Sequence, residues 1–362
     1  MTAKGTRRAS SGTWGWPFSR ADLTAGLRRH FGEHSLQVLE VHPMTISRRR
    51  PSVGVVQGLQ VVYETQDLRE GSIQLVVKQP QGTTRTGLAG AGRREVGVYQ
   101  TLAGQLPLAT PTMVAHSATG DWLLLEAVPT LRDAATWSQQ DYKLAIESLA
   151  LLHDRFWGLG EDLSAFRWLG RPLSADFEVH VTAAAHAIEK IVFLGEPEAL
   201  AQNLDRMSVL ARMTTHAEDV IRPLRNQPMT LLHGDYWPGN ISIGKKGLQI
   251  VYDWQLTSVG PAVLDLLVFV QKSSWWFDAL PMEVAEIISL YRASIAQRLN
   301  NHWSEAQWNL LWDHALMWRF LQEWLDLIAA SPDPILEARA EQLDRVWLEP
   351  VLAAAKRRLG GV

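Results

Sequence analysis

A loop that begins with His-Gly-Asp at 233–235 places the strongest constraint on how this chain folds. An apolar segment leads into the loop, Asn240 lies near the end of the loop, and Asp253 closes a second apolar segment. Pro and Gly within the loop favour a turn over regular helix or strand. A short hairpin between Asn240 and Asp253 returns the chain to its start, so these two residues converge in space. The sequence therefore predicts a site built from one loop and the end of one hairpin.

The side chains of this predicted site fit phosphoryl transfer. That reaction needs a base beside the acceptor hydroxyl and metal ions held against the phosphates of a nucleotide. Asp235 is the candidate base, and Asn240 and Asp253 are the candidate Mg²⁺ ligands, because a hard cation prefers carboxylate and amide oxygens. Each residue alone also has a structural interpretation, since loop Asp side chains often bond to nearby backbone groups. We interpret the full set as catalytic because several independent residues must coincide.

The sequence of the loop resembles the catalytic loop of the aminoglycoside phosphotransferase and choline kinase-like family. The resemblance rests on the run LLHGDYWPGN at 231–240. A second stretch, VYDWQ at 251–255 followed by Gly-Pro at 260–261 and Asp-Leu at 265–266, is similar to the family's metal-binding segment and the helix after it. Weaker similarity extends over most of the chain.

The resemblance implies a role for each residue of the predicted site. It implies that His233 is mainly structural and that Asp235 is the base. It also implies that Asn240 and Asp253 bind magnesium, and that Asp265 braces the loop from the start of the next helix.

The order of predicted elements along the chain is that of a two-lobed kinase. A capping box at 19–22 predicts a short helix through Arg29. Strand-like segments begin at Ser35 and include 53–57 and 59–64, which are separated by Gly58. A helix is predicted from about 91 to 103, and further strands follow at 112–116 and 122–126. Beyond residue 128 the pattern is helical apart from the loop and its hairpin. We predict an α+β, protein kinase-like fold, with a small antiparallel β-sheet lobe that carries one helix and a large, mainly helical lobe.

The domain boundaries follow from this order. The basic, polar start of the chain predicts a disordered tail. The predicted units are a tail at 1–17, an N-terminal nucleotide-binding lobe at 18–127, and a C-terminal helical lobe at 128–362 that contains the catalytic loop at 231–240, the metal-binding segment at 250–265 and the acceptor-binding helices.

The small lobe carries the candidate nucleotide-binding residues. Lys78 ends an alternating strand, and Glu95 lies in the helix after it, so an ion pair between them can orient the Lys toward the phosphates. Backbone groups near Glu126 and Val128, at the entrance to the hinge between the lobes, are candidates for binding the adenine edge. The glycine-rich loop of protein kinases is missing between the first strands, and we interpret the Arg-rich turn at 47–54 as an exposed basic turn.

Composition excludes several classes of protein. A formal net charge of -3 gives no indication of nucleic-acid binding. No apolar run is long enough to span a bilayer. The absence of Cys excludes disulfides, thiol nucleophiles and Cys metal sites. Because Arg7 and Arg8 are not followed by an apolar segment, we predict no export signal and a cytoplasmic protein.

The acceptor is predicted to be a small molecule with a hydroxyl group, and its class stays open among amino sugars, neutral sugars, amino alcohols and macrolides. A cationic aminoglycoside would require several acids to converge. Trp-rich helices near the C-terminus either stack on the acceptor or form core, and core is the preferred interpretation. The acids in this region are Asp278, Asp313, Glu323 and Asp326, and the Trp residues are Trp275, Trp276, Trp303, Trp308, Trp312, Trp318 and Trp324.

The predicted function is therefore an ATP-dependent small-molecule phosphotransferase, with GTP as the other possible donor and an open oligomeric state. The competing hypothesis is a pseudokinase scaffold that binds nucleotide without turnover. A protein kinase is disfavoured because no activation segment separates Asp253 from Asp265. A metal-dependent hydrolase is disfavoured because no further His or Asp ligands cluster, and a serine hydrolase because a Gly-x-Ser-x-Gly elbow is missing.

Overall fold

A computed structural model describes residues 14–46, 54–80, 88–128, 132–244 and 247–360. Most of the predicted tail and most of the Arg-rich turn lie outside these ranges. Within them, no helix combines the length and the apolar character that crossing a membrane requires.

The small lobe is built on a five-stranded antiparallel sheet with the order β1-β2-β3-β5-β4. Alternating apolar side chains such as Leu59, Val61, Leu75 and Val77 are fully buried on one face. The strands are β1 (Gln37–Met44), β2 (Val55–Glu64), β3 (Glu70–Gln79), β4 (Met113–His116) and β5 (Leu123–Glu126).

Strand β2 is longer than the sequence predicts. The prediction broke this segment at Gly58, but the strand runs through it and pairs Gly58 with Val76 of β3. A Cβ at Gly58 would lie 2.7 Å from the Met44 carbonyl oxygen. Glycine is therefore present because the neighbouring chain approaches closely, which is a common reason for glycine inside a strand.

Helix α1 (Arg20–Phe31) covers the buried face of this sheet. Ser19 and Asp22 form the capping box that the sequence predicts at its start. Leu23 and Leu27 are fully buried in a cluster with Leu59 and the other apolar residues on this face of the sheet. This cluster is the core of the small lobe.

Helix α2 (Ala91–Gly97) lies on the other face of the sheet and continues as a π-helical turn at Val98–Leu102. Residues on this face, including Val96 and Leu123, belong to the large core that also contains the C-terminal helices. Gly97 lets α2 pack closely, because a Cβ there would lie 2.4 Å from the indole ring of Trp168. The small lobe is thus joined to the large lobe through α2.

The large lobe is mainly helical. Its helices are α3 (Gln139–Arg155), α4 (Gly160–Leu163), α5 (Phe177–Leu194), α6 (Glu198–Ala201), α7 (Leu204–Thr215), α8 (Ala217–Arg225), α9 (Val263–Trp276), α10 (Val284–Leu299), α11 (Glu305–Arg319), α12 (Leu325–Ala330), α13 (Asp333–Glu337), α14 (Ala340–Leu343) and α15 (Glu349–Leu359). A π-helical turn at Phe320–Trp324 joins α11 to α12, and another at Asp344–Leu348 joins α14 to α15.

Two short strand pairs present the predicted loop. β6 (Thr230–Leu232) pairs with β9 (Ser258–Gly260), and β7 (Ile241–Ile243) pairs with β8 (Gln249–Val251) in the predicted hairpin. The loop at 233–240 lies between β6 and β7, and Asp253 lies between β8 and β9. The small lobe is a sheet that packs α2 on the face toward the large lobe, and the large lobe is mainly helical. This is the predicted α+β, protein kinase-like fold.

Candidate active site

The backbone of the loop is fixed from below by the carboxylate of Asp265. Asp265 lies in the first turn of α9 and accepts hydrogen bonds from the backbone N–H groups of His233 (2.7 Å) and Gly234 (2.8 Å). Nε2 of His153 lies 3.3 Å from the same carboxylate. Burial by itself raises the pKa of Asp265, but the bond from His153 and the charges and donors around it outweigh burial and lower that pKa. The brace is therefore a buried, ionised carboxylate.

Gly234 has a backbone conformation that only glycine adopts easily. Its φ is 80°, and a Cβ at this position would lie 2.0 Å from the carbonyl oxygen of Leu256. The loop can therefore pass directly over the segment after Asp253 only because residue 234 has no side chain.

His233 is fully buried, and its neutral imidazole hydrogen-bonds to two backbone segments. Burial lowers the pKa of its imidazole. Nδ1 accepts a hydrogen bond from the Asp235 N–H (3.2 Å), so Nε2 carries the proton and donates to the Tyr252 carbonyl (3.1 Å). His233 thus connects the loop to the end of the hairpin, which matches the structural role that the family resemblance implies.

Asp235 and Asn240 form a pair at the mouth of the loop. The Asn240 Nδ2 donates to the Asp235 carbonyl (2.9 Å) and to Asp235 Oδ2 (2.9 Å). Since the amide nitrogen of Asn240 is used in this way, its Oδ1 faces away from Asp235 and is free of that pairing. The Tyr252 N–H donates to the Asn240 carbonyl (3.0 Å), which holds the end of the hairpin beside the loop.

Asp253 follows directly and has a left-handed backbone, with φ of 70°. Asp and Asn tolerate this conformation better than most residues, and such outliers concentrate at functional sites. The conformation turns the Asp253 carboxylate toward the small lobe, where Oδ1 lies 2.7 Å from Nζ of Lys78.

Lys78 joins the two lobes. Its Nζ donates to both carboxylate oxygens of Glu95 at 2.7 Å, so the predicted ion pair is present, and Glu95 in α2 is completely buried. Burial alone lowers the pKa of Lys78, but the adjacent carboxylates of Asp253 and Glu95 outweigh it and raise that pKa. The Lys is therefore charged and lies between α2 and the segment that carries Asp253.

At the hinge between the lobes, two backbone N–H groups already donate hydrogen bonds to the small lobe. The Glu126 N–H donates to the Thr112 carbonyl (2.9 Å), and the Ala127 N–H donates to the Gln74 carbonyl (3.0 Å). The Glu126 carboxylate lies 3.2 Å from Nε2 of His30 on α1. Val128 is the last described residue before the gap at 129–131.

The candidate base also contacts a Lys side chain from outside the loop and its hairpin. Nζ of Lys272 on α9 forms an ion pair with Oδ1 of Asp235. Lys272 lies two helical turns after Asp265, so both side chains are on the face of α9 that meets the loop. This spacing is the signal that could have identified Lys272 once Asp265 was assigned to the brace.

Most of the Trp residues in the C-terminal helices are core, as preferred from the sequence. Four of them, at 275, 308, 318 and 324, are buried, and those at 276, 303 and 312 pack partly buried against the same core. Close to the loop, the ring of Trp237 stacks on Trp276 with centroids 6.2 Å apart.

Comparison with known proteins assigns the chain to a family. Residues 58–308, well over half of the chain, match the model of a family described as the phosphotransferase enzyme family, APH. A search of curated proteins finds no match.

Solved structures with similarity to this chain have low sequence identity to it. A thermostable mutant of aminoglycoside phosphotransferase APH(4)-Ia in its apo form is 10% identical, covering 93% of this chain and 100% of its own, with a TM-score of 0.49. The amicoumacin kinase hAmiN in complex with AMP-PNP, Ca²⁺ and Ami is 14% identical, covering 84% and 89%, with a TM-score of 0.48. An aminoglycoside phosphotransferase from Alicyclobacillus acidocaldarius is 13% identical, covering 87% and 92%, with a TM-score of 0.44.

Proposed function

The chain belongs to the APH phosphotransferase enzyme family, and we propose that it transfers the γ-phosphate of ATP to a hydroxyl group of a small molecule. One observation carries the proposal. Lys78 with its Glu95 partner meets Asp253 from the small-lobe side, while Asp235 and Asn240 meet the end of the same segment from the large-lobe side. A nucleotide seated between the lobes would contact both groups.

Asp235 is proposed as the base. Asn240 fixes the orientation of its carboxylate through Oδ2. A carboxylate oxygen has more than one acceptor position, so the acceptor hydroxyl can still donate to Asp235 while that bond is kept. As the hydroxyl oxygen attacks the γ-phosphorus, its proton passes to Asp235, the P–O bond to the leaving ADP breaks, and ADP carries away that electron pair.

Asn240 and Asp253 are proposed to hold Mg²⁺. The residues fit this ion, because the amide orientation leaves the Asn240 Oδ1 available and Asp253 supplies a carboxylate. Among the described residues, no group of three or more His, Asp or Glu side chains is arranged to hold a metal ion. That is the expected pattern for Mg²⁺, which binds through one or two protein side chains together with nucleotide phosphates. Mg²⁺ supplies neutralisation of the charge on the phosphate oxygens when bound.

Lys78 is proposed to bind the α- and β-phosphates. Glu95 is fully buried behind it and keeps the ammonium aimed into the cleft. Since Asp253 pairs with Lys78, phosphates that bind this ammonium group would replace the Asp253 carboxylate. At the hinge, the Glu126 and Ala127 N–H groups are used in the sheet, so the backbone of Val128 is the proposed contact for the adenine edge.

The test is Mg²⁺-dependent consumption of ATP and of GTP by the purified protein with a panel of hydroxyl compounds. The panel contains aminoglycosides, macrolides, hexoses, choline, ethanolamine and homoserine, and Asp235→Asn is the matched control. Acceptor-dependent turnover that the control lacks supports the proposal and identifies the acceptor. Nucleotide binding with no turnover on any acceptor favours the pseudokinase scaffold instead.

A further inference from the structure

Lys272 places an ammonium group between two carboxylates at the candidate base. Nζ pairs with Oδ1 of Asp235 and lies 3.9 Å from Oε1 of Glu323. All three side chains are mostly buried, at 15%, 10% and 15% exposure for Lys272, Asp235 and Glu323. The Lys is therefore part of the interior wall of the site and is not a solvated surface residue.

Arg319 balances the second carboxylate. It lies at the end of α11 and pairs with Oε2 of Glu323 at 2.5 Å. Its guanidinium also donates to the Gly234 carbonyl at 3.0 Å, directly before Asp235. Glu323 lies in the π-helical turn after α11, a local structure that is frequent at functional sites. The two acids, Asp235 and Glu323, are thus matched by two cations, Lys272 and Arg319.

Two of the other acids predicted for a cationic acceptor, Asp313 and Asp278, are placed differently from Glu323. Asp313 is paired with Arg357 at 2.7 Å and with Arg358 at 2.8 Å, on the side of α11 that meets α15. Asp278 is exposed. An aminoglycoside would therefore meet two acids that cations of this chain already pair with, and its own ammonium groups would be brought close to those cations, which is unfavourable.

The aromatic surface beside the base has its own cation as well. Trp237 stacks on Trp276, and the guanidinium of Arg339 lies 4.8 Å from the centroid of the Trp276 ring. The face of an indole is the part that attracts an ammonium group. Because Arg339 covers Trp276, that ring is already engaged with a cation of this chain.

Building on the proposed phosphotransferase function, we propose that Lys272 occupies, with its own ammonium, the position beside Asp235 where a cationic acceptor would place an amine. The acceptor is therefore a hydroxyl compound that has no ammonium group near its reacting hydroxyl. Lys272 acts as a specificity-determining residue, since its charge satisfies Asp235 and Glu323 and repels a substrate cation.

The first experiment compares acceptors that differ only in charge. The pairs are N-acetylglucosamine with glucosamine, 3,3-dimethyl-1-butanol with choline, and N-acetylated kanamycin with kanamycin. With MgATP and the wild-type protein, we expect kcat/KM to be at least about tenfold higher for the uncharged member of any pair that reacts. Faster transfer to the cationic member overturns this inference and leaves the proposed function standing.

The second experiment measures equilibrium binding of kanamycin in the presence of MgADP and needs no turnover. Lys272→Met leaves two carboxylates without their shared cation, so we expect it to bind kanamycin about tenfold more tightly than wild type. Lys272→Arg keeps the charge and Lys190→Met removes an exposed charge from α5, so neither gains affinity. Lys272→Gln is a second uncharged variant, and unchanged MgADP affinity shows that each protein is folded.

The outcomes separate the two proposals. If Lys272→Met and Lys272→Gln both bind kanamycin no more tightly than wild type does, the proposed role of Lys272 is wrong. If the wild-type protein binds no nucleotide, the proposed phosphotransferase function fails, and the role of Lys272, which rests on that function, fails with it.

Discussion

Removal of the Asp265 carboxylate is predicted to destabilise the loop more than any other single change at this site. Asp265 is completely buried and accepts hydrogen bonds from the backbone N–H groups of His233 and Gly234. In Asp265→Ala both donors remain buried and lose their acceptor. The loop must then open to water or keep two unsatisfied N–H groups, and either result displaces Asp235.

The size of the effect follows from these contacts. A buried donor left without a partner costs about 1–3 kcal/mol, and the bonds lost are to a charged acceptor. Removing one member of a buried charged network typically costs about 3–5 kcal/mol. We therefore expect Asp265→Ala to lower the free energy of unfolding by about 3–5 kcal/mol. At about 2–4 °C per kcal/mol this is a Tm lower by roughly 10 °C.

The measurement is the unfolding of wild type and variant by denaturant and by heat, with nucleotide turnover followed in parallel. Asp67→Ala, in the exposed turn between β2 and β3, is the control and should change stability by less than about 0.5 kcal/mol. A loss below about 1 kcal/mol in Asp265→Ala, with turnover kept, would show that Asp265 does not brace the loop.

Four further predictions concern the loop and the metal-binding segment. Asp235→Asn should reduce turnover by about 10²–10⁴-fold while the affinity for MgATP, measured by calorimetry, stays near that of wild type. Asp253→Ala should abolish the dependence of nucleotide affinity on Mg²⁺, and an unchanged dependence in titrations with and without Mg²⁺ would contradict its role. Gly234→Ala should lower Tm strongly, because its Cβ would lie 2.0 Å from the Leu256 carbonyl at a φ of 80°. Because folding lowers the pKa of Asp265, its contribution to stability is present above the unfolded pKa of about 4 and is lost as pH falls through the folded pKa. The stability difference between wild type and Asp265→Asn, measured by denaturation across pH, should therefore shrink below about pH 4, and a difference that stays constant would contradict this sign.

The part of the site that the sequence could predict is the part that is local in the chain. The loop at 233–240 and its hairpin are continuous, and their turn residues, apolar strands and polar side chains occur at short spacing. The order of strands and helices also follows from residue patterns, so the kinase-like fold was accessible. The roles of Asp235, Asn240 and Asp253 stay predictions until turnover and metal binding are measured.

The features that sequence did not predict depend on contacts between distant segments. The break expected at Gly58 disappears because Met44 of the neighbouring strand approaches too closely for a side chain. Helix α2 continues as a π-helical turn at Val98–Leu102, and the residue pattern does not predict this change. Lys272 lies outside the motif, and its pairing with Asp235 depends on how α9 packs under the loop.

The ion pairs of Lys78 indicate why nucleotide and metal should bind together. Nζ of Lys78 lies 2.7 Å from carboxylate oxygens of both Asp253 and Glu95, so the charge that would meet the phosphates is already shared. ATP without Mg²⁺ must displace Asp253 from Lys78 and leave this carboxylate beside the phosphates, where the negative charges repel each other. With Mg²⁺, the same carboxylate gains a cation as Lys78 turns to the phosphates. Asp253→Ala removes both the proposed metal ligand and the competing carboxylate, so it should bind metal-free ATP more tightly than wild type does.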